Sequence, residues 1–127
     1  MFTQLLQYND FGLFLLRLVI AIIFLYHGVP KLKNPKAMAQ GIGWKKEAVF
    51  ILGLVEVLSP IALILGVYMQ LAALLLAIIM VGAIKMKAMK WGVPFAAHDK
   101  NGWEFDLILL AANVVIILGG GGLIGIW

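Results

Sequence analysis

Apolar positions in this chain do not recur at the spacing of a surface helix or alternate like a half-buried strand. They run almost unbroken for nearly twenty residues at a time and stop at clusters of lysine. A helix needs about 20 mostly apolar residues to cross ~30 Å of hydrocarbon. Four stretches reach that length, at about residues 11–29, 48–65, 67–86 and 105–126. The pattern predicts an all-α fold, a bundle of four transmembrane helices that occupies residues 1–127 as a single membrane domain. Only Gly66-Val67-Tyr68 separates the second stretch from the third, which predicts a tight antiparallel hairpin.

Composition narrows the class. Residues A, V, I, L, M, F, W, Y and C make up 64% of the chain and D, E, K and R only 13%, against roughly 45–50% and about 25% in soluble domains. A water-soluble globule and a disordered chain are both excluded. With no cysteine, the chain cannot run dithiol chemistry, ligate zinc through thiolates or hold an Fe–S cluster. No metal site and no resident cofactor are expected.

The net charge of +4 would suggest nucleic acid in a soluble protein, but here it reflects topology. Lys31, Lys33, Lys36, Lys45 and Lys46 fall in the stretch 31–47, and Lys85, Lys87, Lys90 and Lys100 in 85–104; only Arg17 lies elsewhere. With an even number of spans these two loops share a face. Their lysine excess places that face in the cytoplasm and both termini outside, in a plasma or inner membrane. Trp44, Trp91 and Trp103 belong to that face and Trp127 to the opposite belt. The first ten residues carry no Lys or Arg, so the first apolar run reads as a retained span, not a cleaved signal.

Candidate chemistry rests on residues that hydrocarbon does not tolerate. Arg17 sits within the first span and needs a partner or water. Arg17, Ala21, Phe24, Gly28 and Lys31 share one helical stripe, with His27 to one side. Glu56, in the second span, is the obvious counter-charge, so Arg17–Glu56 is the first expected pairing and Glu56–His27 the second. Pro60 removes the N–H that would bond the Glu56 carbonyl and predicts a kink there, with Ser59 supplying part of the missing partner. At the start of the fourth span, Asp99 or Asn101 is expected to cap and Glu104 and Asp106 to favour the helix dipole. Glu104 has a second reading, reaching inward to Lys31, His27 or Lys85. Asn113 reads as an interhelical hydrogen bond. Gly121 and Gly125 are spaced for close helix approach or dimerisation, while the run Gly119–Gly122 is equally suited to ending a helix.

These residues carry a resemblance over nearly the whole chain. L-L-R-L at 15–18, F-L-Y-H-G-V-P-K-L at 24–32, L-V-E-V-L at 54–58, L-I-L-G-V-Y at 63–68 and N-G-W-E-F at 101–105 resemble the DoxX family of small four-helix membrane proteins. The tail, GGGGLIGIW, departs from the polar ending frequent in that family. The resemblance implies redox work. DoxD-type relatives look like membrane subunits of thiosulfate:quinone oxidoreductases, and some DoxX members resemble membrane partners of superoxide- and thiol-handling enzymes. Arg17, His27, Lys31, Glu56 and Glu104 form the family-like polar set.

Three functions fit. One is a membrane subunit of a redox complex that holds a quinone headgroup, with Arg17 or His27 donating to a ring carbonyl and Glu56 exchanging protons. Since no haem, flavin or Fe–S motif is present, electrons would come from a redox protein partner. The second is an anchor or assembly factor without chemistry, which recruits a soluble protein to the basic face. The third is a small transporter or ion path. Membrane lipid is the expected surround in all three, a homo-oligomer stays open, and nucleic acid is not an expected partner.

Overall fold

The computed structural model describes residues 1–125; Ile126 and Trp127, including the tryptophan assigned to the opposite belt, lie outside them. The described chain is all-helical. A 3-10 segment, Thr3–Tyr8, leads into α1 (Asn9–Lys33), followed by α2 (Pro35–Ile42), α3 (Lys46–Leu65), α4 (Met69–Lys85) and α5 (Trp103–Gly119). Three helical stretches are long and apolar enough to cross a membrane: Thr3–Lys33, Lys46–Leu65 and Met69–Lys90. Two expectations need correction. There are five α-helices, because the stretch 31–47 folds a short one of its own, and the helix expected over 105–126 stops at Gly119.

Local chemistry explains the breaks. Asn34 accepts a bond from Ala37 N at 3.3 Å, and Pro35 follows at the first position of α2, where its missing N–H costs nothing. Gly66, at φ +79°, ends α3, and its N–H and that of Val67 both return to the Ala62 carbonyl. α4 begins directly after Tyr68, as the hairpin expectation requires. Its far end loosens into a π-helical turn, Met86–Lys90. The glycine run ends α5, with Gly120 and Gly122 at positive φ, and the non-helical segment it starts packs closely, Gly121 against Met69 and Arg17 and Gly125 against Gly66. The first N–H groups of α5 are taken by the Pro94 and Phe95 carbonyls, so neither Asp99 nor Asn101 caps it.

The helices pack in two pairs, α1 with α3 and α4 with α5. In the first pair the backbones nearly touch. A Cβ on Gly28 would stand 2.8 Å from Glu56 Cβ, and one on Gly53 2.9 Å from Lys31 Cβ. Small residues at a crossing of this kind let membrane helices approach closely. Ile20, Phe24, Leu63, Leu76, Met80, Leu109 and Ile116 fill the interior between the pairs. Ile22, Leu58, Ile78 and Leu118 face outward and are exposed, the inverse of a soluble surface.

Candidate functional site

Polar side chains inside the bundle gather at two levels. At the level of the Gly66 turn, Arg17 is completely buried. Its Nε donates to the Leu63 carbonyl (2.8 Å), Nη1 to those of Gly121 (3.0 Å) and Ile124 (2.7 Å), and Nη2 to that of Ile64 (3.4 Å). The guanidinium also lies 5.2 Å from the centre of the Phe14 ring. Leu63 and Ile64 belong to the last turn of α3, whose carbonyls have no partner along the helix and carry its negative dipole end. Arg17 therefore caps α3 and holds the segment after α5 against it. Asp10 Oδ1 adds a bond from Leu123 N, and Gln70 takes the Ile117 carbonyl near the end of α5.

The expected Arg17–Glu56 pair does not form. Gly28 faces Glu56, Gly53 faces Lys31 and Gly66 faces Arg17, which fixes the antiparallel register of α1 on α3. Arg17 is then about ten residues, or roughly 15 Å, from the level of Glu56, beyond the reach of its side chain. Glu56 instead accepts a 2.6 Å bond from Lys31 Nζ, with the two side chains 4% and 16% exposed. His27 makes no hydrogen bond to Glu56 or to any other described residue.

At the opposite end a second pair joins α5 to the π turn after α4. Lys87 Nζ stands 2.8 Å from Asp106 Oδ2, and Asp106 is buried. The contact is a close ion pair, and the oxygen it engages has almost no accessible surface. Glu104 is exposed, which fits its place at the helix N-terminus and not the alternative inward reading, and Asp106 is the carboxylate that occupies the interior. The two carboxylates are about 200° apart around the helix. Asp106, Leu109, Asn113 and Ile116 form the buried face, so accepting Asn113 as interior already implied Asp106. Asn113 itself bonds back to the Leu109 carbonyl on its own helix, not across to a neighbour. α3 continues as helix through Pro60, which is buried.

Between the two ion pairs lies a cavity of about 570 Å³. Ile23, Phe24, Leu52, Ile79, Met80 and Leu109 form its apolar depth; His27, Lys31, Glu56, Lys85, Lys87 and Asp106 supply the polar groups. Met38, Ile42 and Trp44, from α2 and the turn after it, line the same cavity as Trp91 and Asn101, so both lysine-rich connections meet at one end of the bundle. The His27 ring is 5.8 Å from that of Phe105, across the gap between the helix pairs. A depression of about 630 Å³ at the other end is bordered by Asp10, Tyr68 and the glycine run, but its carboxylate is already engaged by Leu123. This half-open, mostly apolar cavity with a few convergent polar groups has the form of a small-molecule site.

The family model described as DoxX matches residues 12–99, a stretch that carries Arg17, His27, Lys31, Glu56 and Lys87. The chain belongs to the DoxX family. Among curated proteins it is similar to "Putative oxidoreductase CatD" of Bacillus subtilis, 27% identical over 117 residues, which cover 87% of this chain and 81% of that one. It is also similar to "Uncharacterized protein" of Haemophilus influenzae, 35% identical over 118 residues, or 91% and 88% of the two chains. No solved structure matches. α5, with Asp106, lies beyond the stretch that defines the DoxX match.

Proposed function

We propose that this DoxX family membrane protein is a four-span subunit of a redox system, without a redox centre of its own, that receives a quinone ring in the cavity between its helix pairs. The observation that carries the reading is the cavity itself. It is an apolar slot with an unengaged imidazole at His27 and two neutralised carboxylates, and it meets a quinone's need for a flat apolar berth and a carbonyl donor. The oxidoreductase name of the Bacillus relative supports the redox assignment. Electrons come from a protein partner at the lysine-rich end, where Lys33, Lys36, Lys45, Lys46, Lys90 and Lys100 are all exposed. Those exposed lysines also favour the second reading, an anchor that recruits a soluble protein by charge.

The fourth span is α5. It starts at the lysine-rich end, and the segment after it reaches Arg17 and Gly66 at the other, so α5 runs the length of the bundle although only 17 residues long. The lysine-rich end faces the cytoplasm. Single cysteines at positions 45 and 100 will be shielded from an impermeant thiol reagent in intact cells, and one at position 4 will label; the reverse pattern rejects this orientation.

Titration of the purified protein in lipid nanodiscs with decylbenzoquinone tests the reading, because Trp44 and Trp91 line the cavity and report occupancy by quenching. Saturable quenching is expected. His27→Leu, with an unchanged melting temperature, will weaken it about tenfold, the effect of one lost hydrogen bond. Quenching that rises linearly without saturation overturns the quinone reading and leaves the anchor.

A further inference from the structure

The charges that line the cavity do not balance. Lys31, Lys85 and Lys87 stand against two carboxylates, Glu56 and Asp106, and both carboxylates are already held, Glu56 by Lys31 at 2.6 Å and Asp106 by Lys87 at 2.8 Å. Among the described residues no carboxylate lies within ion-pair distance of Lys85. With His27 neutral, the cavity keeps one positive charge. Depth places that charge. The turn at Gly66 brings the end of α3 and the start of α4 to one level, and from there α3, with 20 residues, extends roughly 30 Å while α4, with 17, extends roughly 25 Å. Lys85, the last residue of α4, therefore stops about 5 Å short of the level at which α3 begins. It is exposed, so its ammonium group is open to whatever enters from the lysine-rich end.

The occupant that suits this arrangement has an apolar body and one negative charge at its outer end. A neutral ring fills the apolar depth and leaves Lys85 to water. An anion of the same shape adds a charge-assisted hydrogen bond, at a place where part of the surrounding water has been displaced and the attraction is stronger than in bulk. We propose that the cavity takes an amphipathic anion, with its negative oxygen at Lys85 and its body in the depth between Phe24, Leu52, Ile79 and Leu109. The inference rests on the cavity being a ligand site, as proposed above, and names the charge of the ligand. Among quinones it favours those with an acidic ring hydroxyl, which are anions at neutral pH, over the plain ring. A fatty-acid carboxylate offers the same chemistry without a ring, and the test separates the two.

The protein in nanodiscs of uncharged lipid is titrated with 2-hydroxy-3-decyl-1,4-naphthoquinone and with its methyl ether, which keeps the ring and tail and loses the charge. Tryptophan quenching is the readout, with partition into empty nanodiscs subtracted. The hydroxyquinone will bind about tenfold more tightly than the ether, the effect of one hydrogen bond to a charged group. Lys85→Met will bring the two within about threefold by weakening the anion alone, and Lys85→Arg, which keeps the charge, will retain most of the preference. Because Lys85 is exposed, neither change threatens the fold. Equal binding of both probes by the wild type overturns the anion preference and leaves cavity occupancy standing. Full preference retained in Lys85→Met overturns the assignment to Lys85. Dodecanoate, an anion with a chain and no ring, serves as competitor. Displacement of the hydroxyquinone only at a concentration about tenfold or more above its own supports the ring as part of the ligand; displacement at an equal concentration keeps the anion preference and overturns the quinone reading. Binding of none of the three overturns both.

Discussion

Replacing Arg17 by methionine will destabilise the protein by at least about 4 kcal/mol, the largest effect expected of any single substitution in the first span. The variant leaves the carbonyls of Leu63, Ile64, Gly121 and Ile124 without their shared donor, and each unmet buried acceptor costs about 1–3 kcal/mol. It also removes the positive charge from the C-terminal end of α3, where the dipole favours one. Arg17→Lys will recover only part of the loss. An ammonium has three donors and no planar fork, and it cannot reach carbonyls from two segments at once with the same geometry. Thermal melts in detergent, followed by tryptophan fluorescence, provide the measurement. A loss below about 1 kcal/mol for Arg17→Met would mean that the guanidinium does not hold the end of the bundle together. Combined with Glu56→Gln, the effect will add to within about 0.5 kcal/mol, because the two residues share no partner.

The second large effect belongs to the Lys31–Glu56 pair. Glu56→Gln or Lys31→Met alone will cost about 3–5 kcal/mol, since each strands a charge in an interior that is nearly closed to water. Changing both, to Leu at 56 and Met at 31, will return stability to within about 1–2 kcal/mol of the wild type, because the desolvation of the pair disappears with the pair. The double variant separates architecture from function. If it folds and still binds the quinone probe as the wild type does, Glu56 serves the bundle alone. If it folds and binds weakly, the carboxylate belongs to the site. A double variant no more stable than the singles would show that Gly28 and Gly53 tolerate no change in the side chains they press against.

Much of this arrangement was legible in the sequence. The long apolar runs located α1, α3 and α4, the three-residue turn at Gly66 gave the hairpin, and the stripe Arg17, Ala21, Phe24, Gly28 is the buried face of α1. What escaped was relative depth. Counting residues inward from the lysine-rich ends treats those ends as level, but Gly28 opposite Glu56 and Gly53 opposite Lys31 show that α3 starts about five residues beyond the last turn of α1. That offset exchanges Arg17 for Lys31 as the partner of Glu56. It also makes room for α2, whose Asn34-Pro35 start is a readable cap that went unused because the surrounding residues looked like a charged loop. At α5, Glu104 and Asp106 are two residues apart and chemically alike. Only helical phase from Asn113 separates them, and the family-like polar set names Glu104 and not Asp106. Lys87 lies on the π turn, where the 3.6-residue period on which such phasing depends does not hold.

The two helix pairs are fastened firmly at one end and not at the other. Arg17 ties α1, the end of α3 and the segment after α5 into one knot beside the Gly66 turn, while each ion pair at the lysine-rich end stays within its own helix pair. The bundle is thus a pair of tongs with its rivet at the arginine. With arms of about 30 Å, a rotation of only ~5° at the rivet opens the jaws by roughly 2.6 Å. That is most of the thickness of an aromatic ring, and because each ion pair stays within its own helix pair, an opening of that size breaks neither of them and melts no turn of helix.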